Sequence, residues 1–210
     1  MAAVLPKPEL WPVVLRFDPV IQMTEGQFFD FCQQNDDWQI ERTAGNEIEV
    51  SPLSGGITGH QNLLVAYQFG SWEQEFPLGF CFGSNCGFIL PNGAERSPDI
   101  AWVANERWEE LTEAEQEHFV PVCPDFVLEL RSPTDNLSRL QQKMEEYIEN
   151  GAKLGWLIDP KNMRVYVYQP DQPVQTLENP AELSGEPVLK GFTLDLAQIW
   201  SSKPRMKNSK

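Results

Sequence analysis

The stretch P-D-F-V-L-E-L-R-S-P-T-D, residues 124–135, decides the fold. Side chains along a β-strand alternate between its two faces, so the three apolar residues at 126, 128 and 130 share one face. Glu129 lies on the opposite face, beside Val127. An ionised glutamate in the middle of such a strand is costly to bury unless it is paired or binds a metal. Residues 125–131 are therefore predicted to form a buried strand that carries a functional carboxylate.

A second carboxylate opens another short strand. In S-P-D-I-A-W-V, Asp99 precedes an apolar run that ends at Val103. If this strand lies next to the first one, Asp99 and Glu129 meet and repel each other unless a cation bridges them, and Mg²⁺ prefers such hard oxygen ligands. The alternative is that Glu129 pairs with Arg131 or another sheet neighbour at a solvated edge.

The segment after residue 131 predicts a helix that ends near Asn150, with Gly151 at its C-terminal cap. Lys143 lies at the border of its apolar stripe, so its stem can follow apolar surface while its ammonium reaches the sheet near Glu129. In the alternative, Lys143 lies on a solvated flank and pairs with Glu146 or Glu149.

The remaining pattern predicts one mixed β-sheet flanked by helices, of α/β or α+β class. Residues 1–23 are predicted to be irregular, residues 24–200 to form a single domain, and residues 201–210 to be a basic tail. A helix of residues 59–76 is expected to turn His60 inward, as a site residue or as a core or capping histidine. Glu47, in a hairpin of residues 38–50, is either a third site carboxylate or an exposed hairpin residue.

The charge balance limits the functions that can be considered. The net charge of −15 counts against a simple nucleic-acid-binding protein, although a local basic face or bound divalent cations reverse the field at a site. No apolar run reaches the ~20 residues that a membrane span needs, and the first residues do not resemble a signal peptide. A cytoplasmic location without membrane contact is therefore expected. The four cysteines have no metal-binding spacing and are expected to be reduced.

A long block of sequence resembles one family. The segment of residues 124–135 is followed by L-x-x-K-M-x-x-Y-x-x-N-G-x-x-L-G-W-L-I-D-P and V-x-V-Y, and preceded by R-S-P-D-I-A-W-V and S-P-x-S-G. Together these motifs resemble the Uma-two family of restriction-endonuclease-like proteins, which are abundant in cyanobacteria. The resemblance covers roughly residues 24–170.

The resemblance implies the PD-(D/E)XK nuclease fold, with Asp99 and Glu129 as ligands of Mg²⁺ or Mn²⁺ and DNA as the substrate. The sequence departs from that family pattern where a lysine is usual, because Arg131 follows Glu129 by two residues. Arginine stays protonated, so it is expected to clamp a phosphate, and Lys143 is the candidate replacement for the lysine.

Two functions follow from these residues. The first is a metal-dependent endonuclease, expected as a homodimer by analogy with enzymes that cut both strands of a duplex. The alternative is a catalytically inactive interaction or regulatory module of the same fold, which the acidic balance and Arg131 favour. A small-molecule hydrolase has little support because its usual motifs are missing.

Overall fold

A six-stranded mixed sheet organises the residues that the computed structural model describes, 12–18 and 20–201. The strands are β4 (Gly79–Gly83), β7 (Ile100–Ala104), β8 (Phe126–Leu130), β9 (Leu154–Asp159), β10 (Arg164–Tyr168) and β11 (Gln175–Glu178). Their order across the sheet is β11, β10, β9, β8, β7, β4, and only the β8–β9 pair is parallel. The predicted mixed sheet flanked by helices is thereby confirmed.

A second, five-stranded antiparallel sheet lies beside the first. Its order is β1 (Val13–Arg16), β3 (Glu47–Ser51), β2 (Gln39–Arg42), β6 (Glu95–Arg96) and β5 (Phe88–Ile89). Only Ser97, Pro98 and Asp99 separate β6 from β7, so this short segment joins the two sheets. A third, two-stranded sheet pairs β12 (Glu182–Ser184) with β13 (Thr193–Asp195).

The prediction that residues 1–23 are irregular is wrong for residues 13–16. They form β1 because they pair with β3 in register, Val13 opposite Val50 and Arg16 opposite Glu47. Residues 1–11, Pro19 and the predicted basic tail from residue 202 onward lie outside the described residues.

The helices cover both faces of the six-stranded sheet. They are α1 (Glu25–Gln33), α2 (Gly56–Glu75), α3 (Asn105–Trp108), α4 (Glu113–Gln116), α5 (Leu137–Glu149) and α6 (Ala197–Trp200). On one face α2 and α6 pack against Phe126, Leu128 and Trp156. On the other face, α5 contributes Met144 and Tyr147 to a second core cluster. Glu129 lies on the α5 side because it alternates with Leu128 and Leu130.

The predicted inward face of α2 is wrong. Its buried residues are Thr58, Gln61, Val65, Phe69 and Trp72, whereas His60, Leu63 and Tyr67 are exposed. The face was misassigned because two polar residues are buried while apolar ones face solvent. The Gln61 amide donates to the carbonyl oxygen of Ile199, which satisfies one of these buried polar groups.

The four cysteines are free thiols, as predicted. Among the described helices, none is long and apolar enough to cross a membrane.

A matched pair of aromatic substitutions tests the orientation of α2. Phe69→Ala removes a fully buried ring and is expected to lower the free energy of unfolding by about 3–5 kcal/mol. Tyr67→Ala, at a residue that is 72% exposed, is expected to change it by no more than about 0.5 kcal/mol. Urea unfolding measures both values. A larger loss for Tyr67→Ala than for Phe69→Ala would contradict this orientation.

Candidate active site

A cavity of about 670 Å³ opens between α5 and the five-stranded sheet. One wall carries Glu41 of β2 with Glu47 and Glu49 of β3, and α5 contributes Arg139 and Lys143. Asp99 and Glu129, the two carboxylates singled out in the sequence, also line it. The cavity therefore collects side chains from both sheets and from one helix.

Asp99 and Glu129 come together because their strands are antiparallel neighbours. The register pairs Ile100 with Leu128, and Asp99 directly precedes β7, with its Oδ2 2.7 Å from the backbone N of Leu130. The prediction that the two strands are adjacent is thus confirmed, and this adjacency brings Asp99 beside the end of β8.

Glu129 is buried in the sheet beneath α5. Only 5% of the residue is exposed, and its Oε1 lies 2.7 Å from the Nζ of Lys143. The hydroxyl of Tyr147 donates to the same oxygen at 3.4 Å. Burial raises the pKa of Glu129 to about 8, against the opposing charge of Lys143. The buried position of Glu129 therefore disfavours the ionised form of its carboxylate.

Asp99 is fixed by two hydrogen bonds. The backbone N–H of Leu130 donates to its Oδ2 at 2.7 Å, and the Asn62 amide donates to its Oδ1 at 3.1 Å. Burial raises the pKa of Asp99 to about 6, even though the Leu130 N–H favours the ionised form. Asp99 is thus oriented by β8 and α2 before any ligand arrives.

Lys143 reaches the sheet from α5, as the apolar border of that helix predicted. Its Nζ lies 2.7 Å from Glu129 and 2.8 Å from Glu41. Burial alone would lower the pKa of Lys143, but the charges of the two carboxylates outweigh it and raise the pKa. Lys143 is therefore a permanent cation in this cluster, and the solvated alternative is excluded by its contacts.

Glu41 is a site carboxylate that the sequence reasoning missed. It accepts from the backbone N–H of Ser97 at 2.6 Å and lies 3.4 Å from Arg96. Burial would raise its pKa, but Lys143 and Arg96 hold the pKa below its usual value. The only hint in the sequence was a glutamate within the strand that became β2. Glu41 reaches the site because the five-stranded sheet packs beside α5, and the local residue pattern does not predict that packing.

Arg96 extends the network away from Glu41. Its guanidinium lies 2.6 Å from Glu49 and 2.7 Å from Glu146, and Glu49 also contacts Arg139 at 3.1 Å. The arrangement alternates anions and cations across the cavity wall. Arg96 contacts carboxylates of both the sheet and α5, whereas Arg139 and Lys143 reach from α5 to sheet carboxylates.

The network has a surplus of negative charge. Seven carboxylates line the cavity against three cations; the carboxylates are Glu41, Glu47, Glu49, Asp99, Glu129, Asp135 and Glu146, and the cations are Arg96, Arg139 and Lys143. A divalent cation bound there would offset part of this charge. Within residues 12–18 and 20–201 no three acidic, His or Cys side chains form a ready-made metal cage. A site of two carboxylates fits Mg²⁺, which is commonly held by one or two carboxylates with waters and substrate phosphates.

Arg131 lies elsewhere than expected from the family pattern. It is not among the residues that line the cavity, and its guanidinium lies 2.8 Å from the buried carboxylate of Asp159 on β9. It also donates to the backbone oxygen of Asp135. The backbone N–H of Arg131 donates to Ile158 at 2.8 Å, so the β8–β9 register continues one residue past Leu130 and brings Arg131 beside Asp159. Its contacts are those of a residue that ties β8 to β9.

The two additional candidates are also placed differently. His60 is exposed on α2 and is absent from the cavity lining, so the expected inward position is wrong. Glu47 does line the cavity, but its carboxylate pairs with Arg16 at 2.6 Å, outside the Lys143 cluster. Glu41 occupies the position in that cluster for which Glu47 was a candidate.

Comparisons with known proteins bear on the family and the fold of this chain. The sequence model of the Uma2 family, described as "Putative restriction endonuclease", matches residues 26–197. A solved structure from Anabaena variabilis, described as a "putative nuclease belonging to DUF820", superposes with a TM-score of 0.66 at 19% identity, covering 78% of this chain and 90% of the other. At that identity the likeness concerns the fold. No protein of curated function matches the chain.

Substitutions of Arg131 test its place outside the cavity. Arg131→Met leaves the buried Asp159 without this cation and is expected to lower the free energy of unfolding by about 3–5 kcal/mol. The Mn²⁺ affinity of the folded protein is expected to stay within about twofold, since Arg131 is not among the residues that line the cavity. Urea unfolding and titration calorimetry measure the two effects. Unchanged stability with lost Mn²⁺ binding would reverse this assignment.

Proposed function

The chain belongs to the Uma2 family of restriction-endonuclease-like proteins, and we propose that it is a divalent-metal-dependent endonuclease that hydrolyses phosphodiester bonds in DNA. The observation that carries the proposal is that the buried Glu129 and the half-buried Asp99 line one cavity, in which carboxylates outnumber cations. One Mg²⁺ or Mn²⁺ held by these two carboxylates would offset part of that excess. DNA as the substrate rests on the family description.

The two carboxylates have the role of metal ligands. Asp99 is held by the Leu130 N–H and by Asn62, so its carboxylate is already oriented before a cation binds. Glu129 is held by Lys143 and Tyr147 through one oxygen, Oε1. When bound, the metal supplies positive charge that acidifies water and stabilises the charge developing on the phosphate.

Lys143 has an electrostatic role in this proposal. Because its pKa is raised, it stays protonated and does not act as a general base. An ammonium group has three donors, and Glu129 and Glu41 accept from two of them. The third donor is directed in this proposal to an oxygen of the scissile phosphate. Glu41 then acts as a positioning residue that holds Lys143 between the two sheets.

The alternative of a catalytically inactive module is favoured by two observations. Lys143 is already engaged by two carboxylates, and the chain carries a net charge of −15, which opposes approach of DNA. A homodimer remains an expectation by analogy with enzymes that cut both strands. Metal binding and cleavage separate the two functions.

Removal of either candidate ligand is expected to abolish cleavage. Glu129→Gln and Asp99→Asn keep the size of each side chain while removing its charge, and each is expected to reduce plasmid cleavage in Mg²⁺ or Mn²⁺ by at least about 100-fold. The matched control is Glu145→Gln, an exposed residue of α5 that does not line the cavity. It is expected to leave the rate unchanged.

Two outcomes would contradict the proposal in different ways. Equal cleavage by the wild type and Glu129→Gln would show that the nuclease site lies elsewhere or belongs to a contaminant. Absence of both cleavage and calorimetric Mn²⁺ binding in the wild type would favour the inactive module.

The raised pKa values predict how pH acts on the metal-free protein. The folded state binds protons on Glu129 and Asp99 more tightly than the unfolded chain does. Their contribution to stability is therefore full below about pH 4 and is lost as the pH rises through about 6 for Asp99 and about 8 for Glu129. We expect Mn²⁺ to raise the melting temperature more at pH 8 than at pH 6, because at pH 6 it must displace protons.

The measurement is thermal unfolding across this pH range with and without Mn²⁺. Glu129→Gln provides the control, since the part of the pH dependence due to Glu129 should disappear in it. A Mn²⁺ effect that is constant from pH 6 to pH 8 would contradict the assignment of these carboxylates as ligands.

A further inference from the structure

The three basic residues among those that line the cavity differ in how firmly they are held. Arg96 lies within 3.4 Å of three carboxylates, and its side chain is 7% exposed. Lys143 is held between Glu129 and Glu41. The Arg139 side chain is 43% exposed, and its ion pair is with Glu49. Arg139 is therefore the cavity cation that can change partner most readily.

The partner of Arg139 does not depend on it. Glu49 lies 3.1 Å from Arg139 but 2.6 Å from the buried Arg96. If Arg139 turns away, Glu49 keeps a closer cation, so no carboxylate is left unpaired. Ion pairs with a solvent-exposed partner are weak, which makes such an exchange inexpensive.

Arg139 also lies about one helical turn from Lys143, which contacts the candidate metal ligand Glu129. It precedes Lys143 by four residues on α5, so the two side chains project from the same face of the helix. Four residues correspond to about 6 Å along the helix axis. Successive nucleotides of one strand advance by about 3.4 Å along a duplex, so with α5 running along the duplex a phosphate bound by Arg139 would lie one or two nucleotides from one at Lys143.

We propose that Arg139 is a substrate-binding residue, whose guanidinium leaves Glu49 and binds a backbone phosphate one or two nucleotides from the scissile bond. This inference rests on the proposed function, because it takes the Asp99–Glu129 pair as the cleavage site. A guanidinium suits the task because it can donate two parallel hydrogen bonds to phosphate oxygens. The ion pair with Glu49 keeps the side chain extended across the cavity wall until DNA replaces it.

The test compares Arg139→Gln with a matched control, Arg164→Gln. Arg164 is an arginine of β10 with 45% side-chain exposure and an ion pair to Glu178, and it does not line the cavity. Binding of a fluorescein-labelled DNA duplex is measured by anisotropy in the Glu129→Gln background, between about 50 and 200 mM salt. For Arg139→Gln we expect Kd to rise about tenfold and the slope of log K against log salt to shrink by about 0.9. Arg164→Gln should change neither value, and Arg139→Lys should restore the slope because the charge returns.

Cleavage kinetics separate this inference from the proposed function. In the otherwise wild-type chain, Arg139→Gln is expected to raise KM while kcat stays within about twofold, since the lost contact is made equally before and during the reaction. A wild type that binds and cleaves DNA, with Arg139→Gln behaving as Arg164→Gln does, overturns the inference alone. A wild type that binds DNA but does not cleave it overturns the nuclease function, while the anisotropy slopes still decide whether Arg139 contacts phosphate. A wild type that neither binds nor cleaves overturns both.

Discussion

The bridge that Lys143 makes between Glu129 and Glu41 is the interaction on which the rest of the site depends. It joins helix α5 to strand β8 of the six-stranded sheet and to strand β2 of the five-stranded sheet. An unpaired charge in any one of these elements would carry a large desolvation cost, so each element constrains the positions of the other two. The cavity exists because three elements converge on one ammonium group without closing the space beside it.

This bridge explains why the site is arranged for a cation. One ammonium group cannot compensate two glutamates and the nearby Asp99, and the surrounding arginines are already engaged by Glu49 and Glu146. Burial raises the pKa values of Asp99 and Glu129, so each carboxylate is costly to ionise without a further cation nearby. A divalent ion at this pair would reduce that cost and would also reverse the local field that otherwise repels a phosphate. The overall acidity of the chain is thus compatible with a nucleic-acid substrate at this one place.

Local periodicity made Asp99, Glu129 and Lys143 candidates, because each is a charged residue beside an apolar strand or helix stripe. The family resemblance, and not periodicity, assigned the two carboxylates the role of metal ligands. Glu41 could not be identified, since its contact with Lys143 depends on the docking of a second sheet. His60 was misassigned because α2 buries Thr58 and Gln61 and exposes apolar residues, which weakens the amphipathic signal. The positions of Glu41 and His60 both depend on packing between elements far apart in the sequence, which the local residue pattern does not show.

Arg131 is engaged by the neighbouring strand, not by the two candidate carboxylates. Its backbone N–H donates to Ile158 at 2.8 Å, which continues the β8–β9 register, and its guanidinium pairs with Asp159. The ammonium group at the carboxylate pair comes instead from α5, which packs on that face of the sheet through Met144 and Tyr147. A residue on the helix can supply this group because the aliphatic stem of Lys143 runs along apolar surface before its ammonium reaches Glu129. The position of a charge relative to the carboxylates therefore matters more for this chemistry than its place in the sequence motif.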